Sequence, residues 1–232
     1  MRTRGADLLA GYSRAMLYNE QLLRQEISKS EKKLLRIGAT KTIGNFVIED
    51  MFASYLSNAD NNLSLLVDNT ERLLDLLEHG KLDLTIIEGN FDKMKYGYRL
   101  MRMEPFMGMC AKDHPFAGRE LQLSEIFDET LILREKGSGT RDIFEQLLKD
   151  YGYSVEHFKR TICISNFNMI CHLVAKGIGI SFAYHAVAAK REDISYFTLK
   201  SISIVHEFNY VYLKGTPVED MIDALEGSRY IK

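Results

Sequence analysis

The residues Glu135-Lys136-Gly137-Ser138-Gly139-Thr140-Arg141, at the head of an amphipathic stretch, carry the strongest chemical signal in the chain. They supply neither a metal-ligand set nor a nucleophile–base pair. They offer a turn of backbone N–H groups, two hydroxyls and a guanidinium beside a helix N-terminus, where unpaired donors and a partial positive charge favour an oxyanion. The chemistry implied is the binding of a small anion without transforming it. Ser-Gly-Thr ahead of a helix is also an ordinary capping turn, because Ser and Thr are favoured caps. Arg141 either pairs bidentately with a bound carboxylate or lies in solvent in the first turn, where a cation opposes the helix dipole.

The elements that must position this turn alternate between strands and helices. Leu34 to Ala39 predicts a strand, Thr40-Lys41-Thr42 a turn, and Ile48, Met51, Phe52, Tyr55 and Leu56 one face of a helix. Leu63 to Val67 is a second strand; a Leu-rich helix follows Thr70 and ends at His79-Gly80; Leu82 to Ile87 is a third strand. Strand–helix alternation with short turns implies a parallel sheet with right-handed crossovers. Tyr98 to Ala111 reads as two extended pieces broken near Pro105. A second series follows: a strand at Thr130–Leu133, a helix after Ser138, a strand at Thr161–Ile164, a helix from Asn166 burying Met169, Ile170, Leu173 and Val174, and a strand at Ile178–Phe182. A short helix over Ala183–Lys190 and a late strand at Phe208–Leu213 come next. Thr216-Pro217-Val218-Glu219 then reads as an N-cap, a first-turn Pro and a third-position Glu.

In open parallel sheets, ligands bind beyond the carboxyl ends of the strands. The turns there hold Thr40, Lys41, Thr42, Glu88, Ser138, Gly139, Thr140, Arg141, Asn166 and Phe182, and they would converge if two lobes faced each other. Each has a plainer alternative. Thr42 is a donor to a ligand or the N-cap of a helix at Ile43. Asn166 is a ligand donor and an N-cap at once. Phe182 lines a cleft or sits in the core.

Residues 5 to 30 form a Pro-free stretch of helix-favouring residues. Leu9, Tyr12, Met16 and Leu23 fall on one stripe at seven-residue repeats, with Asn19 at the remaining seam position. That pattern suits a pairing or spacer helix, the alternative being a helix packed on its own domain.

Composition narrows the class. The 232 residues carry a net charge of −2, so there is no basic excess of the kind a nucleic-acid-binding surface needs. Three cysteines without CxxC spacing indicate neither a disulfide framework nor a zinc site, and Cys163 and Cys171 in apolar surroundings read as buried thiols. Six scattered histidines show no metal spacing. No metal or cofactor is expected. No apolar run is long enough to span a membrane and no signal peptide is evident, so a cytoplasmic protein is expected.

At this point the chain resembles the LysR-type transcriptional regulators. Thr3 to Leu9, continuing through Tyr12 and Arg14 to Glu20, resembles the start of that family's linker helix. Leu35-Arg36-Ile37-Gly38 resembles the first strand of its effector domain. Leu76 to Leu84 is similar to its "L-x-x-G-x-L-D-L" segment. Glu104-Pro105-Phe106 followed by His114-Pro115-Phe116-Ala117 is similar to its "E-P-L … H-P-L-A", and Val174 to Ile180 to its "V-A-x-G-x-G-I". The resemblance implies a two-lobed, periplasmic-binding-protein-like (type II) α/β fold after a linker helix. It also implies a small-molecule effector in the interlobe cleft, a homodimer or tetramer, and control of transcription. The expected organisation is a linker and dimerisation helix over 1–32, a first lobe over 33–105 and 210–232, and a second over 106–209. The chain begins almost on the linker helix, so it is expected to be the regulatory portion, with DNA bound through a module it lacks. No enzymatic activity is expected. A solute-binding protein or a small-molecule enzyme on the same fold is the alternative; Glu88 is the one carboxylate easily placed at such a cleft. The effector is expected to be a small carboxylate or oxyanion.

Overall fold

The computed structural model describes residues 4–27 and 34–227. The expected extension of the first helix to residue 30, Thr3, the remainder of the 1–32 segment and the tail 228–232 lie outside the described residues. The chain forms two compact units, residues 1–102 with 207–232 and residues 103–206.

The first unit begins with α1 (Arg4–Ile27). At 1.5 Å per residue its 24 residues span about 36 Å. Next come β1 (Leu34–Thr40), α2 (Lys41–Phe46), α3 (Glu49–Leu56), β2 (Asn62–Asp68), α4 (Thr70–Glu78) and β3 (Leu84–Glu88). β2 and β3 flank β1, both parallel to it, as strand–helix alternation requires. The sheet is not purely parallel, however. The returning strand β10 (Ile204–Leu213) joins β3 antiparallel, pairing Asn209 with Ile87. On one face α4 buries Leu73 and Leu77 against Leu82, Ile87, Tyr96 and Val211. Tyr210, adjacent to Val211 and so on the other face, donates to Met51 Sδ of α3 at 3.4 Å.

Several local expectations are corrected. The turn after β1 is a helix already: Thr40 is the N-cap of α2 and Thr42 lies within it, so Thr42 is not the cap of a helix at Ile43. The helical stretch breaks at Val47–Ile48 into α2 and α3, and Leu56 is exposed. Asn69 caps α4, accepting from Arg72 N. Gly80 ends α4 at φ 64°, and Lys81 N returns to Leu76 O, a C-terminal closure that needs a left-handed residue. The proposed cap before α7 (Glu219–Gly227) does not form. Thr216 Oγ1 donates to Leu213 O, and the Glu219 carboxylate accepts from the Tyr212 hydroxyl.

The chain enters the second unit within β4 (Tyr96–Ala111), one strand through Pro105 rather than two pieces. The ladder with β8 begins at Phe106 opposite Tyr184, so the missing proline N–H falls outside it. β5 (Glu120–Leu121), β6 (Thr130–Leu133), α5 (Gly139–Asp150), β7 (Arg160–Cys163), α6 (Phe167–Ala175), β8 (Ser181–Tyr184) and β9 (Ile194–Leu199) follow. β8 and β9 pair antiparallel with β4, and β6 pairs parallel with β7. The strand expected at Ile178 starts at Ser181, and the short helix after it is a single turn at His185–Val187. The Val174–Ile180 motif has a physical reading. Gly177, at φ 69°, stops α6, and a Cβ on Gly179 would lie 2.2 Å from Thr130 O. That close approach lets Ile180 N reach Thr130 O at 2.9 Å and Ile132 N reach Ile180 O at 2.8 Å.

Met169 is exposed, because the buried face of α6 is Phe167, Ile170, Cys171 and Val174. Cys163 is exposed as well, correcting its reading as a buried thiol, since β7 is largely uncovered. Cys110 and Cys171 are buried, and burial pushes each thiol up to about 11.

Candidate functional site

In the second unit the polar rim is built where β6 ends. Arg134 is 5% exposed. Its guanidinium lies over the Phe167 ring at 4.7 Å and donates to both Glu135 carboxylate oxygens at 2.8 and 2.9 Å. Gly137, at φ 82°, turns the chain into α5. Ser138 is the N-cap, with extended backbone but no side-chain capping bond. Ser138 and Thr140 are 8% and 4% exposed, and neither hydroxyl has a hydrogen-bond partner among the described residues. Beside them the first N–H groups of a 12-residue helix lack intrahelical acceptors.

Arg141 does not lie in solvent, the second of its two expected courses. Its side chain is only 10% exposed, and Nε donates to Glu145 at 2.6 Å. Nη1 reaches Arg134 O at 3.1 Å and lies 3.9 Å from Cys163 Sγ. The guanidinium therefore ties α5 to the ends of β6 and β7. Both rim arginines are matched by carboxylates, so the attraction for an anion comes from the helix end and the hydroxyls. Asn166 caps α6, its Oδ1 accepting from Met169 N at 3.0 Å. Phe182 takes the core alternative: it is 5% exposed and stacked 4.0 Å from Phe144.

In the first unit the rim gathers at the carboxyl ends of β1 and β3. Thr42, 1% exposed, donates to Glu88 Oε1 at 2.9 Å, and Glu88 N approaches Thr40 Oγ1 at 3.4 Å. Lys41, first residue of α2, is exposed. Sequence reasoning missed Asn209. It is 1% exposed, stands opposite Ile87, and donates from Nδ2 to Glu207 Oε2 at 3.1 Å. Lys93 and then Asn209 hold the Glu207 carboxyl below its ordinary value. The signal available was one amide within the apolar run Phe208–Val211.

The first unit also carries α1. The Tyr18 hydroxyl donates to Asp83 Oδ1 at 2.9 Å, and Asp83 accepts from Arg36 N, Nε and Nη2 at 2.7, 3.2 and 2.5 Å. Arg14 donates to Glu78 at 2.6 Å, and Glu78 also accepts from Lys95 and Tyr96. Burial works to raise the Glu78 carboxyl, but these donors outweigh it and hold it below its ordinary value. The opposite face of α1 presents Leu9, Tyr12, Met16 and Leu23, each 56% to 74% exposed. Asn19, between the two faces, donates to Gly215 O at 3.2 Å.

Residues 28–228 match the model of the LysR substrate binding domain. The chain belongs to that family. As a LysR substrate binding domain it is an effector-sensing regulatory domain on a periplasmic-binding-protein-like (type II) fold. It is 26% identical over 200 residues to an uncharacterised HTH-type transcriptional regulator of Methanocaldococcus jannaschii, covering 85% of this chain and 67% of that protein. It is 27% identical over 219 residues to the transcriptional regulator CysL of Bacillus subtilis, covering 89% and 71%. The chain thus spans roughly two thirds of the length of these relatives. Among solved structures, the CcmR regulatory domain of Synechocystis PCC6803 in complex with 2-PG matches with a TM-score of 0.70 at 22% identity. That match covers 84% of this chain and 96% of CcmR. The BenM effector binding domain with its effector benzoate matches with a TM-score of 0.68 at 17% identity, covering 86% and 91%. Among the described residues of this LysR domain, no helix is long and apolar enough to cross a membrane, and no three His, Cys, Asp or Glu side chains cluster for a metal ion.

Proposed function

We propose that this LysR domain binds a small molecule with an anionic group, held in the second unit by Ser138, Gly139 and Thr140 at the start of α5. The observation that carries this is the pair of hydroxyls on the largely buried Ser138 and Thr140, unpaired among the described residues, beside the helix N-terminus. Asn166 stands at the head of α6 with its Oδ1 committed to capping, so its amide N–H groups are what it offers a ligand. Arg141 shapes the rim through Glu145 and Arg134 O rather than touching the ligand. In the first unit Thr40, Lys41, Thr42 and Glu88 form a separate set of polar groups proposed for effector contact. The Glu88 carboxylate beside Thr42 disfavours a second anion there.

The effector controls DNA binding and transcription through a DNA-binding module of the whole regulator, which works in the cytoplasm and has no enzymatic activity. The regulator is a homodimer or tetramer, with Leu9, Tyr12, Met16 and Leu23 of α1 as one pairing surface. Two names support a small acid as ligand class: CcmR is described with 2-PG and BenM with benzoate.

The test is calorimetric titration with a panel of small carboxylates, phosphates and inorganic oxyanions. Ser138→Ala and Thr140→Val should each weaken the best binder about tenfold, the worth of a hydrogen bond to a charged group. Arg141→Ala should lower stability more than it lowers affinity. Unchanged affinity in both hydroxyl variants would place the anion elsewhere.

A further inference from the structure

Arg134 and Glu135 follow β6 directly, where α5 and α6 both begin. Leu133 pairs with Cys163 and Ile164 N reaches Leu133 O at 2.8 Å, so these helices start from adjacent strand ends within the second unit. The Arg134 guanidinium lies over the ring of Phe167, the first residue of α6. Ser138 N closes a turn on Glu135 O at 3.2 Å, which brings the N-cap of α5 next to the pair.

The donors of this buried cation are only partly used. Nε and Nη2 each give a hydrogen bond to the Glu135 carboxylate, at 2.8 and 2.9 Å, the forked geometry that fits any carboxylate. The other N–H groups of the guanidinium have no hydrogen-bond partner among the described residues. Exposure differs sharply across the pair: the Arg134 side chain is 5% exposed and that of Glu135 31%. The fork of a buried arginine is thus closed by a carboxylate that reaches the surface, so the fork faces solvent although the cation does not. Side-chain rotation alone takes Glu135 away, while Phe167 keeps the guanidinium in place. Glu135 leaves the Ser138 and Thr140 hydroxyls unpaired, and those are donors that a diffusible anion can use.

We infer that Arg134 is the residue that binds the effector's anionic group, a carboxylate, and that Glu135 is an internal carboxylate which fills the Arg134 fork in the free protein and gives way to the ligand. This rests on the proposed effector reading and adds to it the charged partner and the class of anion. The exchange keeps Arg134 neutralised in both states, as a buried charge requires, because removing its partner without replacement is strongly destabilising. It also sets a threshold. A ligand displaces Glu135 only by offering more than the fork alone returns, and the hydroxyls and N–H groups at the head of α5 supply that difference.

The test uses the intact chain with propionate as the carboxylate, against chloride at equal ionic strength. Affinity is read by calorimetric titration and by the rise in melting temperature on adding propionate. Glu135→Ala empties the fork. That variant should melt below the parent in chloride, and propionate should bind it about tenfold tighter than the parent and restore its melting temperature. Glu135→Gln leaves an acceptor on Arg134, keeps the test open if the alanine variant folds poorly, and should bind propionate about threefold tighter than the parent. Adding Arg134→Lys to either variant should erase the gain, because an ammonium keeps the charge but lacks the fork. Propionate affinity equal in the parent and both Glu135 variants, or a gain that survives Arg134→Lys, overturns the inference. Ser138→Ala separates it from the reading on which it rests. A gain in Glu135→Ala that is indifferent to Ser138→Ala upholds Arg134 as the anion residue and removes the α5 hydroxyls from the site. A loss of affinity in Ser138→Ala with no gain in the Glu135 variants upholds the head of α5 and removes Arg134.

Discussion

Removing the Asp83 carboxylate should loosen the attachment of α1 to the first unit. Asp83 is 5% exposed and receives the Tyr18 hydroxyl, the Arg36 N–H and two Arg36 guanidinium bonds. Tyr18 is 3% exposed, so Asp83→Ala leaves its hydroxyl buried without an acceptor, a loss of about 1–3 kcal/mol. The Arg36 side chain is 28% exposed and can recover water, which holds its share to the low end, about 1–2 kcal/mol. The expected total is about 3 kcal/mol, equivalent to a fall of roughly 6–12 °C in melting temperature for a chain of this size. Tyr18→Phe removes one hydroxyl and should cost about 0.5–1.5 kcal/mol. The assay is urea or thermal unfolding of the two single variants and the double variant. If the Tyr18–Asp83 bond exists, the double variant should be no less stable than Asp83→Ala, because Tyr18→Phe removes the hydroxyl that Asp83→Ala leaves without an acceptor. Strict additivity of the two costs would refute the reasoning, and so would a Tyr18→Phe protein as stable as the parent.

The exposed stripe of α1 should make the 26.6 kDa chain self-associate at micromolar concentration in sedimentation, and Leu9→Glu with Met16→Glu should weaken that association by at least tenfold. A monomer over the whole range would remove the stripe from the pairing surface. Burial holds the His206 imidazole below its ordinary 6.5, with Nδ1 2.8 Å from the Tyr184 hydroxyl. The unfolded chain then takes up this proton before the folded one, so the contribution of His206 is full above about pH 6.5 and declines as the pH falls below it. His206→Gln should flatten the melting-temperature profile between about pH 7 and 5, and an unaltered slope would show that His206 is not its source.

Much of the architecture was legible in the residues because it depends on local periodicity and backbone chemistry. The β1–α4–β3 series, the Gly80 and Gly177 helix ends and the Asn166 cap follow from alternation, left-handed glycine and side-chain capping. So did the family, because short motifs kept their order along the chain. What failed were features decided by distant partners. Nothing near Pro105 says that the strand runs on, since that depends on where the β8 ladder begins. Nothing near Thr216 says that its hydroxyl turns back to Leu213.

The candidate residues divide in the same way. Ser138 and Thr140 were marked by type and position alone, because a helix start after Gly137 dictates exposed N–H groups wherever the helix packs. The role of Arg141 was undetermined until Glu145, Arg134 O and Cys163 were brought around it, and they take its Nε and Nη1 donors. Asn209 and Asp83 are the clearest cases of tertiary decision. Each is a polar residue in an apolar strand region, and the sequence determines only that it must find a partner or a use. That Asp83 receives Tyr18 from a helix 65 positions earlier was settled by docking α1 against the first unit. That Asn209 keeps an unpaired oxygen was settled by the return of β10 beside β3, because burial and hydrogen-bond partners belong to the folded neighbourhood and not to the residue.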